Sequence, residues 1–393
     1  MTYLNIIKKS VFILLTCSIL AISSPVSAAG NANDPSYEPF AGEDVCLPGA
    51  YLSGGQGCLP LGPSIYINSL AEEGITYPFL PLPASHPDSA LFTLDYGIAR
   101  INVFPPDRAP VFASLDDAVS GTNPVSYLRP SDLLYVAYSS QVDVNGGHYV
   151  LAASGGWMRA SPASYSSFQG LVFHQQPQTS FGWIVEPTKA KIAPDYYAAE
   201  IEPTQAPNSV VQIYNVEQTG GLIFYMIGLN RWVERRYIRQ LEYNPEPPNG
   251  VDADRWIEIN LYEQTLSVYD HNQLVFATLI ASGLDPFFTR PGLFQIQEKK
   301  ETETMSGAFE SDLSDYYYLE DVPWTMYYDQ DRAIHGAYWR AMLGYPQSHG
   351  CVNMSVADSH WVYDWANVGD WVYVWDPSGQ TPTDPSLYTP GGA

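Results

Sequence analysis

Two residues in this chain have the types and the setting for covalent chemistry. His335 and Cys351 stand 16 positions apart, and Ser348-His349-Gly350 leads into the thiol. A free thiol with a pKa near 8.5 is only a few per cent ionised at neutral pH, so it needs a base. An imidazole that takes the proton and stabilises the thiolate as an ion pair supplies that need, and the pair reads as nucleophile and base for attack on an acyl carbonyl. His349 is the other candidate base. A buried, inert thiol is the bland reading of Cys351. His335, His349 and Cys351 also have ligand types that suit zinc, but no further cluster stands at zinc-finger spacing, so neither a metal nor a cofactor is expected. Ser348 lacks the Gly-x-Ser-x-Gly frame of a serine nucleophile.

The rest of the chain must deliver and position this segment. With 393 residues and 46% hydrophobic content, there is material for two to three domains with real cores. Twenty-nine Tyr, 32 Pro and 30 Gly suit short strands broken by turns. Residues 1–28 read as a secretory signal: Lys8-Lys9, an apolar run from Val11 to Ile22, then Val26-Ser27-Ala28 at a cleavage point. The run is short of the roughly 20 apolar residues of a spanning helix, so no stable membrane insertion is expected after cleavage; an uncleaved anchor is the rival. Cys17 lies inside the apolar run, which is the wrong place for lipidation. Without residues 1–28 the 18 basic residues fall by Lys8 and Lys9 to 16 against 42 acidic ones, a net of −26. Such a surface repels nucleic acid and anionic lipid. Export implies a disulfide-permissive space, where Cys46 and Cys58 flank eleven residues that a disulfide could close. Cys351 is then the odd thiol.

In chain order, residues 29–88 form a linker and disulfide-stapled N-terminal segment. Strand-like alternation begins near Leu91, with Asn145-Gly146-Gly147 as a hairpin signal. Tyr149…Trp157-Met-Arg recurs 75 residues later as Phe224…Trp232-Val-Glu, with an aromatic-to-Trp spacing of eight in both. Trp157 and Trp232 read as core aromatics, with sugar stacking as the alternative. Arg231, Arg235, Arg236 and Arg239 read as a solvated strand edge, with contacts to cell-wall carboxylates as the alternative. Residues 244–251 are a Pro-rich linker. Beyond it, strands are expected around 255–261, 265–269, 274–281, 322–328 and 333–335, with residues 289–296 a turn into a further strand. Ser355 and Asp358 then open a helix that Gly369 stops, before a closing strand at Trp371–Trp375. Residues 377–393 read as a flexible tail.

Ser348-His349-Gly350-Cys351-Val352-Asn353, with Ile334-His335-Gly336 upstream, resembles the L,D-transpeptidases and their YkuD-type catalytic domain. The likeness runs over about residues 252–376 and includes Ala281-Ser282-Gly283, a Thr-x-x-Gly-x-Phe turn at 289–294 and Gly369-Asp-Trp-Val. Residues 89–180 and 181–243 each resemble the bacterial SH3-like modules that accompany cell-wall enzymes. The implied fold is mainly β: two small SH3-like β-barrels, then an L,D-transpeptidase-type β-sandwich with one or more short helices. The resemblance implies an exported enzyme of the cell envelope that acts on peptidoglycan stem tetrapeptides. Cys351 would form a thioester and release D-alanine, and an acceptor amine would resolve it into a cross-link. Water in place of that amine would make the protein an L,D-carboxypeptidase. A wall-binding protein with a vestigial catalytic domain is the non-enzymatic alternative. Carbapenem-type inhibitors are further expected partners. By the same resemblance the Gly336 carbonyl orients His335, and the N–H groups of Gly350 and Cys351 hold the oxyanion. Ser348, His349, Tyr318 and Asn353 touch substrate or order the loop, and Asn353 stands where Arg is commoner.

Overall fold

The computed structural model describes residues 44–45, 58–59, 63–75, 80–103, 107–308 and 312–388. The signal segment 1–28 and Cys46 lie outside the described residues, as does the side chain of Cys58, and so does the proposed disulfide.

Alternating apolar residues make the architecture mainly β. In one seven-stranded sheet the strand Trp256–Asn260 runs antiparallel to the central strand Thr265–Asp270 and parallel to the closing strand Trp371–Trp375. Its inner face presents Ile257, Ile259, Leu266, Val268, Phe276, Val372 and Val374. These meet Met326, Tyr328, Ile334, Val352 and Met354 from a second, ten-stranded sheet, so two apolar faces bury one another. The helix Val356–Trp365 closes the core with Val362. Ser355 caps it, its hydroxyl accepting from the Asp358 N–H. The helix ends at Trp365, capped by an extended Ala366, and not at Gly369. Gly369, at φ +96°, instead turns the chain into the closing strand.

The second sheet continues beyond residues 252–376. The long strand Tyr317–Asp329 pairs along one side with Glu298–Gly307, and along the other with Arg332–Gly336 and, near its start, with Leu133–Val144 in parallel. Glu320, buried, fastens this junction by accepting from the Ala137 N–H at 2.9 Å and the Tyr318 hydroxyl at 2.8 Å. Strands from residues 97–162 extend the sheet, while Leu171–Phe173 joins the other sheet beside Gln273–Leu279.

Residues 180–241 build a three-stranded and a five-stranded sheet around Ile184, Ala190, Ile213, Tyr225, Val233 and Ile238. The repeated motif takes the same register twice: Tyr149 faces Arg159 and Leu151 faces Trp157, as Phe224 faces Glu234 and Met226 faces Trp232. Trp232 is buried with Phe224, Met226 and Leu70 of the helix Pro63–Glu72, and Trp157 packs with Phe112, Ala118 and Tyr149.

Two members of the Arg cluster depart from a solvated strand edge, while Arg236 is exposed. Arg235 bonds Glu263 at 3.0 Å and stacks over Tyr262, while buried Arg239 donates its Nε–H to the Gly344 carbonyl at 2.6 Å. Both reach across to residues 252–376, and Gly344 lies on the connection between His335 and Cys351. The tail also packs in part: the Tyr388 ring sits 5.2 Å from the Arg332 guanidinium.

Candidate active site

The strand Arg332–Gly336 runs parallel to Val352–Met354 with His335 opposite Asn353. Period-two alternation sends Ile334 and Val352 into the core and turns His335 and Asn353 to the other face, together with Cys351 two residues before Asn353. The Ala333 N–H donates to Cys351 Sγ at 3.4 Å, and the thiol points to the Asp331 carbonyl at 3.8 Å. His335, Ser348, His349, Cys351 and Asn353 line one pocket of about 30 Å³ with Trp339, Arg340, Met305, Tyr317, Leu319 and Leu133. That is room for roughly one water molecule. Leu133 comes from the strand that the N-terminal half adds to the sheet.

The protonation of His335 follows from its partners. Nδ1 lies 3.1 Å from the Gly336 carbonyl, which only accepts, so Nδ1 carries the proton and Nε2 holds the lone pair. Asn353 Nδ2 is 3.1 Å from Nε2 and donates to it, while Asn353 Oδ1 accepts from Arg340 Nε at 3.2 Å. Arg340 Nη2 donates in turn to the Gln347 carbonyl. Burial lowers the His335 pKa to about 4, against the Gly336 carbonyl, and Arg340 lowers it further. Burial pushes the Cys351 thiol up to about 11, against the Ala333 N–H and Arg332. Near neutral pH the two rest as thiol and imidazole, not as the ion pair expected from residue types, because burial penalises both charged forms.

The Cys351 loop is held from two sides. Gly350 has φ +126°, a conformation that favours glycine. Its N–H donates to Ser348 Oγ at 3.1 Å, and that hydroxyl donates to the Cys351 carbonyl at 2.5 Å. The Gly350 N–H is thus committed to Ser348, which corrects the expectation that it faces an oxyanion. Thr289 Oγ1 donates to the Gly350 carbonyl and accepts from the Gly283 N–H, both at 2.8 Å. In a trans peptide the next N–H points opposite to the carbonyl, so Thr289 aims the Cys351 N–H.

Tyr318 is displaced from the expected site. Its hydroxyl serves Glu320, and neighbouring Tyr317 lines the pocket, since one step along a strand reverses the face. His349 is flanked by Tyr317, with ring centroids 5.9 Å apart, and by Phe287 at 4.9 Å; burial lowers its pKa. A second hollow of about 260 Å³, lined by Thr304, Ser306, Tyr327 and Asp331, shares Met305 and Tyr317 with the first.

Thr289, Tyr317, Trp339 and Arg340 therefore join the site. Trp339, with its ring 5.6 Å from that of His335, and Arg340 lie inside the segment already singled out. Thr289 belongs to the quoted turn, and Tyr317 is one residue from Tyr318. Among the described residues no three His, Cys, Asp or Glu side chains converge to hold a metal ion.

This constellation can deliver a thiol to a carbonyl and a proton to a leaving amine. Residues 254–374 match the family model of the YkuD L,D-transpeptidase catalytic domain, so the chain carries a catalytic domain of that family there. Solved structures include the L,D-transpeptidase of Stackebrandtia nassauensis, 24% identical over 33% of this chain and 57% of that one, with a TM-score of 0.26. A mutant L,D-transpeptidase of Enterococcus faecium is 24% identical over 31% and 49%, with a TM-score of 0.29. The enzyme of Mycobacterium smegmatis is 16% identical over 54% of this chain and 93% of that one, with a TM-score of 0.29. The chain spans about half the length of the first two, and superpositions at these scores add nothing to the fold described above. No curated protein matches.

Proposed function

We propose that the protein is an exported L,D-transpeptidase of the cell envelope. The observation that carries this is the placement of His335 and Cys351 on one face of adjacent strands, within the residues that match the catalytic-domain model. In this reading a stem tetrapeptide places its last peptide carbonyl against Cys351. The thiol proton passes to Nε2 of His335 as Sγ–C bonding begins, with the Cys351 N–H turned to the developing oxyanion. Asn353 must yield the Nε2 lone pair for that transfer. The tetrahedral adduct collapses, the C–N bond breaks, and the proton on Nε2 goes to the departing amine of D-alanine. An acceptor amine then attacks the thioester, gives its proton to His335 and restores the thiol.

The remaining readings belong to the same proposal. Residues 1–28 direct export, and residues 89–180 and 181–243 are SH3-like modules that position the domain on the wall, through Leu133, Arg235 and Arg239. Carbapenems would acylate Cys351 as substrate mimics. Intact mass after incubation with a tetrapeptide donor or a carbapenem tests the reading. An adduct mapped to Cys351 supports it; equal D-alanine release by wild type and Cys351→Ala defeats it. Donor plus acceptor stems separate transfer, which yields dimers, from hydrolysis, which yields tripeptide alone.

A further inference from the structure

Arg340 sits in the reaction pocket without an anionic partner. No carboxylate among the described residues makes an ion pair with it, whereas buried Arg332 and half-buried Arg235 each pair with an acid, Asp329 and Glu263, and buried Arg239 is satisfied by three backbone carbonyls. Its Nε serves Asn353 and its Nη2 the Gln347 carbonyl, and Nη1 has no hydrogen-bond partner among the described residues. Desolvation lowers its pKa to about 10, and the sole nearby group opposing this is the Tyr135 hydroxyl. A half-buried guanidinium that keeps its charge without a carboxylate is costly, and a ligand carboxylate would relieve that cost.

We propose that Arg340 is the residue that reads the carboxylate of the amino acid expelled in the reaction, by a charge-assisted hydrogen bond from Nη1. The inference rests on the acyl-transfer reading above and adds the substrate group that this side chain recognises.

The geometry selects this carboxylate among those of a stem peptide. His335 Nε2 must reach the leaving nitrogen to protonate it. In an α-amino acid the carboxylate carbon is two bonds, about 2.5 Å, from that nitrogen. Arg340 is separated from Nε2 by one amide, with hydrogen bonds of 3.1 and 3.2 Å on either side. A leaving group that extends from Nε2 past Asn353 would bring its carboxylate to Arg340. The same contact bears on the base, because Arg340 holds the amide that occupies Nε2. A carboxylate that draws the guanidinium toward itself loosens Asn353 from the lone pair that the thiol proton must take. Arg340 is in this sense both a specificity residue and a positioning residue.

The test compares tetrapeptide donors that end in a free acid or a primary amide, on wild type, Arg340→Gln and Arg340→Lys. Wild type is expected to favour the acid by about 10- to 100-fold in kcat/KM, the range for a lost charge-assisted hydrogen bond. Arg340→Gln should bring the ratio near one, and Arg340→Lys should keep part of it. An unchanged ratio in Arg340→Gln, or an equal fall on both donors, overturns the proposal, the second outcome marking a merely structural arginine. If wild type turns over neither donor, the acyl-transfer reading fails. The carboxylate preference is then read by calorimetry on Cys351→Ala with both peptides. Tighter binding of the acid that disappears in Cys351→Ala/Arg340→Gln sustains Arg340 as the reader; equal binding overturns it.

Discussion

Asn353 donates its amide N–H at 3.1 Å to Nε2 of His335, the nitrogen that receives the thiol proton in the proposed reaction. The orientation is fixed from behind, because Arg340 occupies the amide oxygen and the Gly336 carbonyl holds the opposite ring nitrogen. The base is thus held in one tautomer, with its lone pair covered. Catalysis requires exchange of an amide donor for a thiol donor at one nitrogen.

A resting thiol–imidazole pair has a signature in alkylation. With the thiol pushed up to about 11, iodoacetamide should modify Cys351 slowly at pH 7 and faster up to and beyond pH 9. Peptide mass mapping across pH 5–10 measures it. A plateau reached by pH 6 would show an ion pair and contradict the neutral pair.

Removal of the base should be costly in activity and mild for folding. His335→Gln is expected to lower acyl transfer by about 10²- to 10⁴-fold, the usual range for a general acid–base group. Single-turnover acylation, followed by mass, reports this step directly.

Thr289 is expected to matter through the loop it clamps. Thr289→Val keeps the shape but leaves the buried Gly283 N–H and Gly350 carbonyl without their shared partner, a cost of about 1–3 kcal/mol. Denaturant unfolding measures that loss. Acylation of Cys351 should slow as well, because its N–H is no longer aimed.

The two tyrosines should separate by face. Tyr317→Ala should change the kinetics at the pocket, while Tyr318→Phe, which removes a hydrogen bond to Glu320, should lower stability by about 1 kcal/mol and leave kcat near wild type. Parallel steady-state and unfolding measurements decide between them.

Stability against pH should show two opposed slopes. Burial raises Asp358 to about 6, against the Thr278 hydroxyl, the Gly170 N–H and Ser355. Its folded pKa lies above the unfolded value, so its contribution is full below about pH 4 and lost as pH rises through about 6. His335 is lowered to about 4, so its contribution is present above about 6.5 and lost as pH falls through about 4. Each is worth about 3 kcal/mol at its limit, so they largely cancel between pH 4 and 6.5. Glu258, which burial raises to about 7, adds a falling slope of its own, so relative to wild type Asp358→Asn should tilt the profile toward rising with pH over that window and His335→Gln toward falling. Urea midpoints at half-unit steps test this; parallel curves for the two variants would refute it.

Residue types and spacing by themselves singled out His335 and Cys351, most strands of residues 255–375 though not Glu298–Gly307, the Ser355 cap and the catalytic-domain likeness. These signals are local: a motif, a period-two pattern, a side chain that caps its own helix. The tertiary structure alone decided which neighbours share the pocket. Tyr317 rather than Tyr318 faces Cys351 because the register of a strand is set by pairing with Leu133–Val144, more than 180 residues away. Gly350 spends its N–H on Ser348, and Thr289 reaches it from 61 residues upstream. The protonation state of His335 and Cys351 was likewise out of reach, since desolvation depends on what the whole chain packs over them. Arg340 stands between the motif's ends, and only its placement beside Asn353, without an acid, supports the role proposed for it.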